Sequence, residues 1–250
     1  MTDHLNQLET QKYLVLPQFV SPDLLQVLSD YLWFKQQQSG FKPSPKKRAY
    51  ELSHEPVLDV VLDYFTIILS QKTGLKLLPT YGFARVYYQG ADLFRHLDRP
   101  ACEFSCTFPL GYSDDSDWPI FVTTNQDNQL GQAVNLTRGD LLLYKGEQLY
   151  HWREQLDKKW QAQLFLHYVN EEGDNVEHQF DKRGGLSMSL KQLHLADPDQ
   201  IENELATGLI AQELTSFLKK QLVILKVIRV VKKSAVPVVV GAALLAAFLW

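Results

Sequence analysis

Cysteine is scarce: the 250-residue chain has two, Cys102 and Cys106. Two residues so close together cannot staple a small secreted domain, and their scarcity fits a reducing compartment. They are expected to be small buried apolar groups on one face of a strand. Before residue 222 the chain lacks a long apolar run, and Met1-Thr2-Asp3-His4 has neither a basic start nor an apolar stretch, so no secretory signal is expected. A strong charge of either sign is also missing. The formal net charge of -4 gives no general attraction to nucleic acid, and no nucleic-acid partner is expected. No internal repeat or low-complexity tract is evident, and 45% hydrophobic with 22% charged residues describes an ordinary folded chain.

What is present reads as a mainly β domain with supporting helices. Ser21-Pro22-Asp23 supplies an N-cap, a proline at the first helical position and an acid in the first turn. Leu24, Leu25, Leu28, Tyr31 and Leu32 follow at helical spacing. A second, largely buried helix is predicted from Val57 to Leu69, stopping near Gly74. Between them, 41–48 carries two prolines and Lys46-Lys47-Arg48 and reads as an exposed loop. Short strands are predicted at 75–78, 83–88, 101–110, 118–124, 133–136, 140–144, 148–151 and 160–169, separated by turn signals such as Gln89-Gly90 and Arg138-Gly139-Asp140. Strands at this spacing make a two-sheet jelly roll or barrel, with the helices lying on one sheet.

The chemistry-bearing stretch is His96-Leu97-Asp98. Residues i and i+2 of a strand point to the same face, so one strand end can offer an imidazole and a carboxylate together. His151, brought over by a neighbouring strand, would complete two histidines and one carboxylate with the opposite metal positions open, the set used by non-haem Fe(II) oxygenases. Tyr87-Tyr88-Gln89-Gly90, His96-Leu97-Asp98, Gly139-Asp140 and His151 together resemble the double-stranded β-helix core (jelly roll, cupin-like) of the Fe(II)- and 2-oxoglutarate-dependent oxygenases. The similarity is to the prolyl 4-hydroxylase-like branch. It implies that His96, Asp98 and His151 hold Fe(II), that Tyr87 touches 2-oxoglutarate, and that dioxygen and 2-oxoglutarate are consumed with release of succinate. The substrate, a small molecule or a protein, is not named by these residues. One departure stands out: relatives place a Lys or Arg about ten residues after the distal histidine to hold the far carboxylate of 2-oxoglutarate, and position 161 is Gln. Arg85 or Arg153 with Gln163 is the expected replacement, Arg99 being a further candidate, because a guanidinium gives a charge-assisted bidentate pair. The missing anchor also leaves open a non-catalytic cupin-like sensor that binds metal and ligand.

Trp118, Trp152 and Trp160 are expected to pack in the core or at its rim. His167 is either a hydrogen-bonding support or a satisfied core histidine, and His4, His54, His178 and His194 are assigned to the surface. The catalytic domain is expected over 1–185, and 186–250 is read as a helical, basic tail with an apolar end. From Leu214 onward six Lys and Arg occur with no acid, and 234–250 is uncharged. This tail suggests either contact with a membrane through 214–250, as a tail anchor or a peripheral helix on the cytoplasmic face, or a homo-oligomer contact. The catalytic part is expected to be cytoplasmic.

Overall fold

The computed structural model describes residues 3–38 and 40–187. The tail, with its expected membrane or oligomer contact, lies outside them apart from its first two residues. Within the described residues no helix is long and apolar enough to cross a membrane.

Among the described residues three helices and eleven strands follow one another: α1 (Asp3–Gln11), β1 (Tyr13–Leu16), α2 (Pro22–Gln37), β2 (Lys42–Ser44), β3 (Ala49–Ser53), α3 (Pro56–Thr73), β4 (Leu77–Tyr88), β5 (Leu93–His96), β6 (Phe104–Tyr112), β7 (Ile120–Thr123), β8 (Gln132–Val134), β9 (Leu141–Lys145), β10 (Tyr150–Arg153) and β11 (Trp160–Asn170). They form two antiparallel sheets, one of seven strands in the order β1-β9-β6-β11-β4-β3-β2 and one of four in the order β5-β10-β7-β8. This is the jelly roll expected from the strand spacing.

Both predicted helices form for the reasons the sequence suggests. Ser21 Oγ accepts a hydrogen bond from the Leu24 N–H at 3.3 Å, with Pro22 opening α2. α3 ends on Gly74 at φ 79°, a left-handed conformation that costs glycine little. Their buried stripes, Leu25, Leu28 and Leu32 of α2 and Leu58, Leu62, Phe65 and Leu69 of α3, join the core formed by Phe108, Leu164 and Leu166 on the outer face of the larger sheet. Alternation along β11 does the rest: Ala162, Leu164 and Leu166 meet the helices, whereas Gln161, Gln163, Phe165 and His167 face the interior between the sheets.

Four expectations need correction. α1 was not foreseen, because it carries only two leucines, yet Leu8 is wholly buried. The supposed loop 41–48 contains edge strand β2 and a 3₁₀ turn, Pro45–Lys47, leading into β3. Pro43 is tolerated because an edge strand has a free side. The strands predicted at 75–78 and 83–88 are one, β4, in which Pro79 sits where the pairing with β11 shifts register between Leu166 and Tyr168. Finally, Cys102 belongs to the 3₁₀ turn Pro100–Cys102 and Cys106 to β6, so the two do not share a strand face, although both are buried and free.

Candidate metal centre

β5 and β10 are antiparallel neighbours in the smaller sheet, and His96 and His151 are direct partners across that pairing. Register therefore does what sequence distance concealed: it sets two imidazoles side by side, their ring centres 4.2 Å apart. Asp98 lies just past the end of β5, where its backbone N–H donates to Gly146 O at 2.9 Å. His96 Nε2 and His151 Nε2 are each 3.6 Å from Asp98 Oδ1. Two ligands about 2.1 Å from one ion can stand up to about 4.2 Å apart, so this spacing fits a single first-row divalent metal.

The donor chemistry fits as well. His96 Nδ1 lies 2.7 Å from Phe94 O and His151 Nδ1 lies 3.0 Å from Leu149 O. A carbonyl only accepts, so each Nδ1 carries the proton and each Nε2 presents a lone pair. Burial, working against the attraction of Asp98, holds the His151 imidazole below its ordinary pKa and so keeps it a neutral ligand. Ser105 Oγ donates to Asp98 Oδ2 at 2.9 Å and fixes the carboxylate rotamer. Gly146 completes the support by lacking a side chain: a Cβ there would stand 2.2 Å from Cys102 O and 2.6 Å from Asp98 Oδ2. Neither Ser105 nor Gly146 was marked by any local motif.

Asp98, Cys102 and His167 also converge. Burial raises the Cys102 thiol to about 12, and Tyr81 Oη lies 3.2 Å from its sulfur, so it is a thiol in a hydrogen-bonded network rather than a thiolate ligand.

The four residues expected to hold 2-oxoglutarate all lie on interior positions near this centre. Tyr87 and Gln161 are cross-strand partners, as are Arg85 and Gln163. Arg85 is already neutralised, since its Nη2 is 2.6 Å from the Glu51 carboxylate and its Nη1 donates to Tyr87 Oη at 2.7 Å. Arg99 lines a cavity over the metal site but is already paired, making two 2.8 Å hydrogen bonds to Asp181. Arg153 differs from both. It is 3% exposed, its guanidinium stacks 4.6 Å from the Trp118 ring centre, and Nη1 donates to Trp118 O. No carboxylate pairs with it among the described residues, and burial lowers its pKa to about 10. Arg153 Nη2, Gln163 Nε2 and Arg85 Nε are buried donors without an acceptor among the described residues. Trp118 and Trp152 are buried and Trp160 is partly exposed, matching the packing roles expected of them. His54 is exposed, as assigned, and stands at the rim of the cavity of about 410 Å³ that opens over the metal site.

Comparison with solved structures defines the class of fold. It is that of the 2-oxoglutarate and Fe(II) oxygenases, in the form seen in prolyl hydroxylases. The chain is similar to a Pseudomonas putida prolyl-4-hydroxylase (TM-score 0.51, 14% identity, covering 66% of this chain and 96% of that one). It is also similar to a Trichoplax adhaerens prolyl hydroxylase solved with a hypoxia inducible factor peptide fragment (0.54, 13%, 72% and 91%). A third relative in structure is HygX of Streptomyces hygroscopicus, solved with nickel, 2-oxoglutarate and hygromycin B (0.53, 12%, 69% and 88%). No family model and no curated protein matches the sequence.

Proposed function

We propose that this protein is a non-haem Fe(II)- and 2-oxoglutarate-dependent dioxygenase that hydroxylates a carbon of its substrate while 2-oxoglutarate is decarboxylated to succinate. The observation that carries this reading is the pairing of two incomplete sites: three metal donors converging on one point, and beside them buried donors that lack an anion. Fe(II), when bound by His96, Asp98 and His151, supplies open coordination positions for 2-oxoglutarate and dioxygen. The protein's own residues set the rest. The carbonyls of Phe94 and Leu149 keep both imidazoles in the metal-binding tautomer, and Ser105 keeps the Asp98 carboxylate turned to the metal.

Arg153 takes the far carboxylate of 2-oxoglutarate, with Gln163 and Tyr87 in support. An uncompensated buried charge costs several kcal/mol, and an incoming carboxylate offsets that cost. Arg85, tied to Glu51, orients Tyr87 through its hydroxyl. The neutral Gln161 at the position where relatives carry a base is then no defect, because the charge enters from β10. Prolyl hydroxylases and HygX take peptide and small-molecule partners respectively, and a cavity of this size suits either a side chain or a small molecule.

Calorimetry under anaerobic Fe(II) tests the reading. The native chain should bind 2-oxoglutarate, Arg153→Gln should weaken that binding at least about thirtyfold, and His96→Ala should lose Fe(II) binding. Native protein that takes up Fe(II) but no 2-oxoglutarate would sink the dioxygenase and favour the metal-binding sensor, which the neutral residue at 161 otherwise supports.

A further inference from the structure

Across the larger sheet, Tyr144 of β9, Ser105 of β6 and His167 of β11 stand in one row. Ser105 has a single proton to give. It goes to Asp98 Oδ2 at 2.9 Å, since a carboxylate is the strongest acceptor within reach. The 2.8 Å contact between Ser105 Oγ and His167 Nδ1 must then run the other way, with Nδ1–H donating to the serine oxygen. His167 is thereby fixed as the Nδ1-protonated tautomer, and its Nε2 is a bare acceptor. That atom is buried and has no partner among the described residues, while the ring itself lines the cavity over the metal site. His167 is 4% exposed, so water does not readily meet the need.

The neighbouring wall is aromatic. Phe83 and Phe165 stack with centres 4.6 Å apart, and His167 lies nearly parallel to Phe83 at 5.6 Å. Cross-strand rings stacked in this way cover one another's faces and turn their edges to the interior, where edges favour the face of an unsaturated ring.

We infer that His167 is the specificity residue of the cleft: its Nε2 accepts a hydrogen bond from an O–H or N–H group on a substrate whose ring lies against the edges of Phe83 and Phe165. This rests on the dioxygenase reading, which makes the cavity a substrate site. A buried acceptor left unpaired discriminates against a ring that lacks the donor.

The test uses the full chain loaded with Zn(II) and 2-oxoglutarate and two probe pairs differing in the donor: phenol against anisole, and indole against 1-methylindole. In the native chain the donor-bearing member of each pair should bind at least about tenfold more tightly. In His167→Phe, which keeps a flat ring and loses the acceptor, the members should come within about twofold of each other while Zn(II) and 2-oxoglutarate binding persist. Nitrogen-15 spectra of the native, histidine-labelled chain give a readout that needs no variant and should show His167 protonated on Nδ1 alone. Equal affinities within both pairs, absence of any probe binding, a preference that survives in His167→Phe, or a proton on Nε2 would each overturn the inference. Failure of the native chain to bind 2-oxoglutarate is seen before any probe is added, and it overturns the dioxygenase reading together with what rests on it.

Discussion

At the scale of single residues the centre depends as much on what stands behind the ligands as on the ligands. Gly146 is the sharpest case. Gly146→Ala would put a methyl group 2.2 Å from Cys102 O and 2.6 Å from Asp98 Oδ2, and the carboxylate would have to move. Overpacking of this kind costs about 1–3 kcal/mol, and displacement of a ligand's support typically weakens metal binding about 10–100-fold. Denaturant titration together with Fe(II) or Zn(II) titration should show both losses, and full metal affinity in the variant would refute the role. His167 supports a second expectation, for the metal-free chain. Burial lowers its pKa to about 4, against about 6.5 when unfolded. Above the unfolded value both states are neutral and His167 contributes nothing to pH dependence. As pH falls from about 6.5 toward 4 the unfolded chain binds a proton that the folded one refuses, so stability drops, by about 3 kcal/mol in all. Urea unfolding at pH 7 and pH 4.5 should show the loss, and His167→Phe should lose less over the same interval. His96-Leu97-Asp98 was legible because two ligands two residues apart are a local fact. Ser105, Gly146 and the tautomer of His167 were not, because each owes its place to a partner on another strand.

Among the elements, the contrast between α1 and α2 explains what local pattern reveals. α2 announces itself with a cap, a proline and three buried leucines, whereas α1 offers only Leu5 and Leu8 among polar residues. Tertiary packing, not periodicity, holds α1: Leu8 is fully buried and Glu9 meets Lys145 Nζ at 2.7 Å. Lys145 is the last residue of β9 and the neighbour of Gly146, so α1 braces the turn behind Asp98. Leu8→Ala should therefore cost about 3 kcal/mol, within the range for a buried leucine, and thermal melts of the metal-free chain would measure it. A loss below about 1 kcal/mol would mean that α1 packs only loosely. The strand register followed the same logic. Turn residues located β9 and β10, but the predicted strands do not include β5 at Leu93–His96, and Pro79 divides β4 because nothing local announces the register shift that accommodates it.

For the molecule as a whole, the centre joins two layers that the hydrophobic core alone does not join at that point. His96 and His151 belong to the four-stranded sheet, and Asp98 is held from the other side by the hydroxyl of Ser105 on β6 in the seven-stranded sheet. An ion bound to all three is a cross-link between the sheets that only the folded chain can form. Binding at about one hundred times Kd then stabilises the fold by about 2.7 kcal/mol. For a domain of this size each kcal/mol raises Tm by about 2–4 °C, so a metal-loaded sample should melt about 5–10 °C above one treated with a chelator. His96→Ala removes a ligand that is 39% exposed, so little packing is lost and the metal-free melting temperature should change by no more than about 2 °C. The same variant should abolish the metal-dependent rise. A rise that persists in His96→Ala would place the stabilising ion elsewhere and separate the inter-sheet link from the three residues that the register of β5 and β10 brings together.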